Sequence, residues 1–540
     1  MKLPIQYFAT ACMITIAGMN AQSNAVGTWI PVTASAPGQC GGGMILLSDG
    51  TVLCKSYSGG TDGIGNIWNK LTPNSSGSYA NGTWTSIAPM ADTRLYFSSQ
   101  LLMDGRLYVA GGEYGTGLAK GEVYNPLTNT WTATPSPLGN VSDANSELMP
   151  DGRVMQALVA GTLKGTSIYN PVTNTYVAGP TCKGIHNESA WMKLPDNSIL
   201  FVDRLATSSE RYIPATNTWN VDATVPVSLF DAYGYETGGA VLLPNGKAFF
   251  VGSPGTTALY TPTGTVTKGT WAAGASFPSS RGAPDAPAAM MVDGKVLCVA
   301  SAIPTSANHF PSPSYFYEYD YVTNTFASTG VPGGGTSLAD STYVLTFLNL
   351  PDGTILYGRQ GLTKYYIYQP SGAPVAAGKP TIASYSDNGC GKFTIRGTQF
   401  NGISQGSSYG DDWQMNTNYP IIRLTSGTSA YYARTFNWNS CGVMTGSMET
   451  TTNFTIPVNV PAGTYSLVVT ANGIASDPIT FVHDSRSPDL DGNNVVDSAD
   501  MGNLLIGYGA CVNCAADLNM DNEVNSSDMG QLLLGYGPCQ

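Results

Sequence analysis

Two twelve-residue stretches near the C-terminus carry the residue types of a hard-cation site. Asp489, Asp491, Asn493, Asp497 and Asp500 stand at positions 1, 3, 5, 9 and 12 of the first. Asp517, Asn519, Asp521, Asn525 and Asp528 repeat the pattern 28 residues later. Position 7, Val495 or Glu523, offers a backbone carbonyl. Oxygen donors at this spacing describe a calcium loop, and two matched copies predict two calcium ions. The pattern departs from an ordinary EF-hand, with Asp at position 12 and Asn494 or Asn522 at position 6. Asn tolerates the left-handed backbone that Gly supplies there. Each loop runs into a short predicted helix, Met501 to Tyr508 and Met529 to Tyr536.

A second set of reactive side chains recurs about eight residues before a tight turn. It comprises Cys40, Tyr96, Asp143, His186 with Asn187 and Glu188, Tyr235 with Glu236, Asp285, and Tyr343. Phenols, carboxylates and an imidazole brought to one place would form a ligand site. Carboxylates such as Glu188, Glu236 and Asp285 could also act as the acid and base of glycoside cleavage. Everything depends on whether the elements carrying them converge.

The turns in question are Asp49-Gly50, Asp104-Gly105, Asp151-Gly152, Asp196-Asn197, Asn245-Gly246, Asp293-Gly294 and Asp352-Gly353. Each lies between two apolar strands, and Asp-Gly or Asn-Gly supplies the positive φ that a tight hairpin needs. Between them recurs a second phrase, Tyr124-Asn-Pro-Leu-Thr-Asn-Thr-Trp131, repeated at Tyr169–Tyr176, Tyr212–Trp219 and Tyr319–Phe326, and more loosely at 260–271. Four strands per unit at intervals of 45 to 59 residues predict a seven-bladed β-propeller. The seventh unit lacks its Thr-Trp strand, while Gly27-Thr-Trp-Ile-Pro-Val-Thr33 has no unit of its own. Placing that orphan as the outer edge of the seventh blade closes the ring and hides an edge. The starts of the inner strands, and hence the side chains named above, then line one mouth of the central channel.

Composition agrees. Charged residues are only 11% of the 540, against about a quarter in ordinary chains, while Gly is abundant and hydrophobic residues reach 42%. That favours short strands and tight turns over long surface helices. A net charge of -12 argues against nucleic-acid binding. Lys2 followed by an apolar run to Gly18 predicts a signal peptide over 1–21, a secreted or cell-surface protein, and no transmembrane segment. Nine cysteines then remain, so at least one lacks an intrachain disulfide partner; Cys40–Cys54 and Cys390–Cys441 are reasonable local pairs, and the connectivity of Cys511, Cys514 and Cys539 stays open. The predicted organisation is a propeller over 22–375, an Ig-like β-sandwich over 376–484 and a calcium-binding module over 489–540.

Three resemblances add to this reading. Gly111-Gly112 with Trp131 resembles a kelch repeat. The C-terminal tandem resembles a type I dockerin, which implies that Ser498-Ala499 and Ser526-Ser527 face a cohesin-like or cell-surface partner. The propeller and sandwich, roughly 25–483, resemble galactose oxidase and glyoxal oxidase, copper-radical oxidases. That likeness implies Tyr96 as the cross-linked tyrosine, Cys40 as its thioether partner and Tyr343 as the axial tyrosine. The family places a histidine directly after that tyrosine and another in the sandwich. Here Val344 follows Tyr343, and Ala430–Phe436 contains no histidine. The chain has only His186, His309 and His483. Copper prefers two imidazoles in this chemistry, so it is not expected. The expectation is a non-catalytic secreted protein that binds carbohydrate or a surface ligand. An oxidase with altered ligands and a polysaccharide-degrading component are the alternatives.

Overall fold

A computed structural model describes residues 25–57, 63–159, 164–406, 417–483, 486–493, 495–512 and 514–539. The expected signal peptide and Asn494 lie outside the described residues. The structure is mainly β, with two short α-helices among the described residues.

Seven antiparallel blades form the propeller, six of four strands and one, the sixth, of five. Their innermost strands begin at Cys40, Ser98, Ser146, Trp191, Ala240, Ala288 and Leu345. The ring closes as the orphan strand predicts: Thr28–Pro31 pairs with Tyr366–Gln369, and Trp29 Nε1 donates to the Gly330 carbonyl at 2.7 Å.

The recurring Tyr–Asn phrase has a local cause. In four blades the tyrosine hydroxyl donates to the Asn of the turn five residues on, as in Tyr124–Asn129 at 3.0 Å and Tyr169–Asn174 at 2.9 Å. Those asparagines, Asn129, Asn174, Asn217 and Asn324, all adopt φ near +50°. A short amide side chain tolerates that conformation, and the bond holds the turn against the strand. The aromatic residue that follows packs on the same tyrosine, as Trp131 does on Tyr124 at 5.1 Å.

Eight further strands between Thr381 and His483 enclose a second core that includes Phe393, Ile395, Leu424, Phe454, Leu467 and Phe481. This module covers the turn end of the propeller. Ser48 Oγ donates to Thr435 O at 2.6 Å, and Leu242 N to Gln405 O at 3.0 Å. Lys193 and Glu147, each nearly fully buried, form a 2.9 Å ion pair there, and Lys193 Nζ also donates to Cys441 O at 2.8 Å.

The cysteine pairing differs from the local expectation. Cys390 bonds to Cys539, 149 residues away, and Cys511 to Cys514. Cys441 is a free buried thiol at the propeller contact, and Cys40, Cys54, Cys182 and Cys298 are also free. Cys54 stands opposite Met44 across the hairpin, not opposite Cys40, because the inner strand bulges between Cys40 and Met44.

Candidate functional site

The mouth opposite the second module is where the expected side chains converge. Five blades enter their inner strands through a left-handed non-glycine residue: Tyr96, Asp143, Glu188, Tyr235 and Asp285, with φ between 44° and 62°. Non-glycine residues take this conformation at a cost of order 1 kcal/mol each. Its recurrence at one level of the ring marks a shared geometric requirement. Blade one meets it with Gly42 and Gly43, and blade seven with the short helical turn Thr342–Val344.

Carboxylate oxygens of Glu188, Glu236 and Asp285 lie within 4.8 Å of one another. Asp143 hydrogen-bonds Glu188 and faces Glu113 and Glu236 as well. It is 6% exposed, and its Oδ1 has no hydrogen-bond partner among the described residues. Glu236 Oε2 is likewise buried and unpartnered. Among the described residues one guanidinium answers these carboxyls, Arg204 Nη1, 3.9 Å from Glu188 Oε1. Burial, reinforced by the neighbouring carboxylates, pushes the Glu188 acid well above its ordinary range. Burial and Asp143 hold Glu236 up at about 8 and Glu113 at about 7. Crowded like charges out of water favour the protonated form.

The framework is stiff. Asp231 accepts from the Tyr233, Gly234 and Glu236 amides at 2.7, 2.8 and 3.1 Å. Thr237 Oγ1 donates to Glu188 O at 2.9 Å, and Asp285 N donates to Thr237 O at 2.9 Å. Blades four, five and six are thereby tied at the level of their acids. Tyr114, Tyr233 and Tyr235 remain exposed. Tyr96 OH takes a 3.3 Å bond from Gln360 Nε2, and Tyr343 packs on Phe310 at 5.0 Å.

Two expected residues do not face the mouth. His186 is fully buried inside blade four, against Trp191, Phe201 and Trp219. Its Nε2 lies 2.8 Å from Cys182 Sγ, and burial pushes its pKa down to about 3. Cys40 is 1% exposed, and burial raises its thiol against the opposing influence of the Tyr365 hydroxyl. Of the other histidines, His309 stacks on Tyr233 at 6.3 Å and His483 ends the last strand of the second module. Glu113, Arg204 and Gln360 escaped the sequence reading. All three follow second strands, which run back to the mouth, so the same offset counted past each hairpin would have found them.

The C-terminal loops repeat each other at position 12. Asp500 Oδ1 accepts from the Leu490 and Asp491 amides at 2.6 and 3.1 Å; Asp528 Oδ1 accepts from Leu518 and Asn519 at the same distances. Their Oδ2 atoms close capping boxes with Asp497 and Asn525 at the starts of helices Ser498–Ile506 and Ser526–Leu534. Asn522 takes φ 70°, as its place in the loop requires. Oxygens of Asp489, Asp491 and Asp500 lie within 4.8 Å of one another, a donor set that fits a hard cation. Ser498, Ala499, Ser526 and Ser527 are exposed.

The Kelch motif matches this chain over residues 101–138, from the inner hairpin of blade two through its outer strand. No curated protein matches the chain. Among solved structures it is similar to a fungal alcohol oxidase of the AA5 family in complex with copper, at 17% identity and TM-score 0.52, covering 85% of this chain and 99% of that one. It is also similar to a streptogramin B lyase (12%, TM-score 0.44) and to an inactive virginiamycin B lyase from Staphylococcus aureus with quinupristin (11%, TM-score 0.43). Each of these covers 64% of this chain and 98% of the other. The oxidase likeness shows the fold that propeller and second module share. No helix among the described residues is long and apolar enough to cross a membrane.

Proposed function

We propose that this chain is an exported binding protein. Its kelch propeller takes a carbohydrate or another polyhydroxylated surface ligand at the acidic mouth. The module over 376–484 is an Ig-like sandwich that stoppers the far end. The tail over 489–540 is a dockerin-like unit that holds two calcium ions and displays the propeller on a cohesin-like or cell-surface partner.

The observation that carries the ligand reading is the mouth itself: unpartnered carboxylate oxygens ringed by exposed Tyr114, Tyr233 and Tyr235. Carboxylates accept from vicinal hydroxyls, and tyrosine rings stack on sugar faces. The residues present do not fit copper. Val344 stands where the second ligand would follow Tyr343, and His186 is enclosed by aromatic rings. For the tail, each helix exposes a matched apolar pair, Leu505-Ile506 and Leu533-Leu534, beside its Ser/Ala or Ser/Ser tip. Two equivalent faces suit a partner that binds either one.

Calorimetric titration with neutral oligosaccharides tests the ligand reading. Tyr235→Ala is expected to weaken binding about tenfold, the scale of one lost stacking contact; equal affinity of the variant and the parent overturns the mouth as the site. Chelation tests the tail: protease sites between 489 and 539 should open in EDTA while the propeller stays intact, and an unchanged digestion pattern removes the calcium assignment.

A second reading has its own support. Glu188 bonded to Asp143, with Glu236 held near 8, resembles the acid and base pair that cleaves glycosidic bonds. Release of reducing ends that Glu236→Gln abolishes would favour it.

A further inference from the structure

We infer that the channel mouth holds a third divalent cation, calcium by its geometry, bound by Glu188, Glu236 and Asp285 with Asp143 beside them, and that hydroxyls of the ligand complete its coordination. The second half rests on the mouth being the ligand site; the ion itself does not.

The argument begins with unsatisfied charge. Glu113, Asp143, Glu188, Glu236 and Asp285 meet at one spot, and Arg204 is the cation paired with them among the described residues. Asp143, itself 6% exposed and hydrogen-bonded to Glu188 of this cluster, keeps its Oδ1 buried with no donor to meet it among the described residues. A buried carboxylate oxygen without a donor is costly, and a bound cation is the ordinary remedy. The spacing suits the ion. Two oxygens held about 2.4 Å from calcium can stand up to about 4.8 Å apart. The oxygens of Glu188, Glu236 and Asp285 lie within 4.8 Å of one another without any rearrangement. Magnesium, at about 2.1 Å and strictly octahedral, would need them drawn closer. The Asp231 and Thr237 hydrogen bonds fix the loops before any ion arrives, so little ordering accompanies binding. Three protein carboxylates leave coordination positions open, and vicinal hydroxyls are oxygen donors of the right hardness.

The test counts calcium on the full-length chain. Asp489→Ala with Asp517→Ala disables the two tail loops, and this chain is expected to retain one calcium. Adding Glu188→Gln and Glu236→Gln should abolish it, and Asp285→Asn alone should weaken it at least about tenfold. A tail-disabled chain that binds no calcium at millimolar concentration overturns the proposal. So does an ion that survives the mouth substitutions in a chain whose circular dichroism is unchanged. If the double substitution impairs folding, Asp285→Asn decides between the same outcomes. Oligosaccharide titration with and without EGTA separates the two halves. Calcium at the mouth with no oligosaccharide binding keeps the ion and defeats the ligand reading; oligosaccharide binding indifferent to EGTA defeats the bridging role.

Discussion

The two ends of the propeller channel handle buried charge in opposite ways. At the turn end, Glu147 meets Lys193 at 2.9 Å, Gln405 donates to the other Glu147 oxygen, and the second module covers the pair. At the mouth, among the described residues, carboxyls outnumber the one guanidinium paired with them, and Asp143 and Glu236 leave buried oxygens without a donor. The same ring of inner strands supplies both. The first charge is neutralised under a protein lid; the second is what the proposed ion and ligand would answer.

The largest difference should appear on removing one acid from each end. Glu147→Ala leaves Lys193 buried with only the Cys441 carbonyl, and should destabilise the propeller by about 3–5 kcal/mol. Glu188→Gln removes an acid from a crowded carboxyl cluster and should be neutral or slightly stabilising at pH 8 in EGTA. Urea unfolding of both variants checks this, and equal losses at the two ends would erase the distinction.

The sequence made these regions legible to different degrees. The tail read cleanly as two loops running into short helices because each loop and the carboxylate that caps its helix lie within twelve consecutive residues, Asp489 to Asp500 and again Asp517 to Asp528. The blade count and closure read well because Asp-Gly turns and the Tyr–Asn bond are local rules repeated around the ring. The mouth read in part. An offset of eight residues from each turn locates the start of an inner strand, which found Asp143, Glu188, Glu236 and Asp285. It does not say which way a side chain near that start points. His186, two residues before left-handed Glu188, turns into the aromatic interior of its blade. Glu113 and Arg204 arrive on returning strands, outside that rule. Disulfide pairing was least legible, since Cys390 and Cys539 meet only after the tail folds back on the second module.

A smaller effect should separate the ends by pH. Folded Glu188, Glu236 and Glu113 keep their protons to higher pH than the unfolded chain, whose glutamates release them near pH 4.5. The folded state therefore binds more protons between about pH 4.5 and 8, and stability falls as pH rises through that window. Allowing for solvent screening, the loss should be about 2 kcal/mol in EGTA. Glu188→Gln with Glu236→Gln should flatten the slope, and a double variant with the full slope would place its origin elsewhere. Saturating calcium should flatten it as well, if the ion replaces the protons.

The smallest effect isolates the one cation at the mouth. Arg204 lowers the affinity of Glu236 for its proton, opposing burial and Asp143. Its guanidinium is 3.9 Å from Glu188 and partly solvated, so the pair contributes no more than about 1 kcal/mol. Arg204→Met should therefore lower stability by about that amount at pH 9, where Glu236 and Glu113 have lost their protons. At pH 5 they hold their protons and the same substitution should cost almost nothing. Calcium should recover most of the pH 9 loss, because an ion seated among Glu188, Glu236 and Asp285 supplies the positive charge that Arg204 no longer brings. An equal loss at both pH values would mean that Arg204 acts by packing. The mouth would then be less starved of positive charge than its carboxylates suggest, and closer in kind to the turn end.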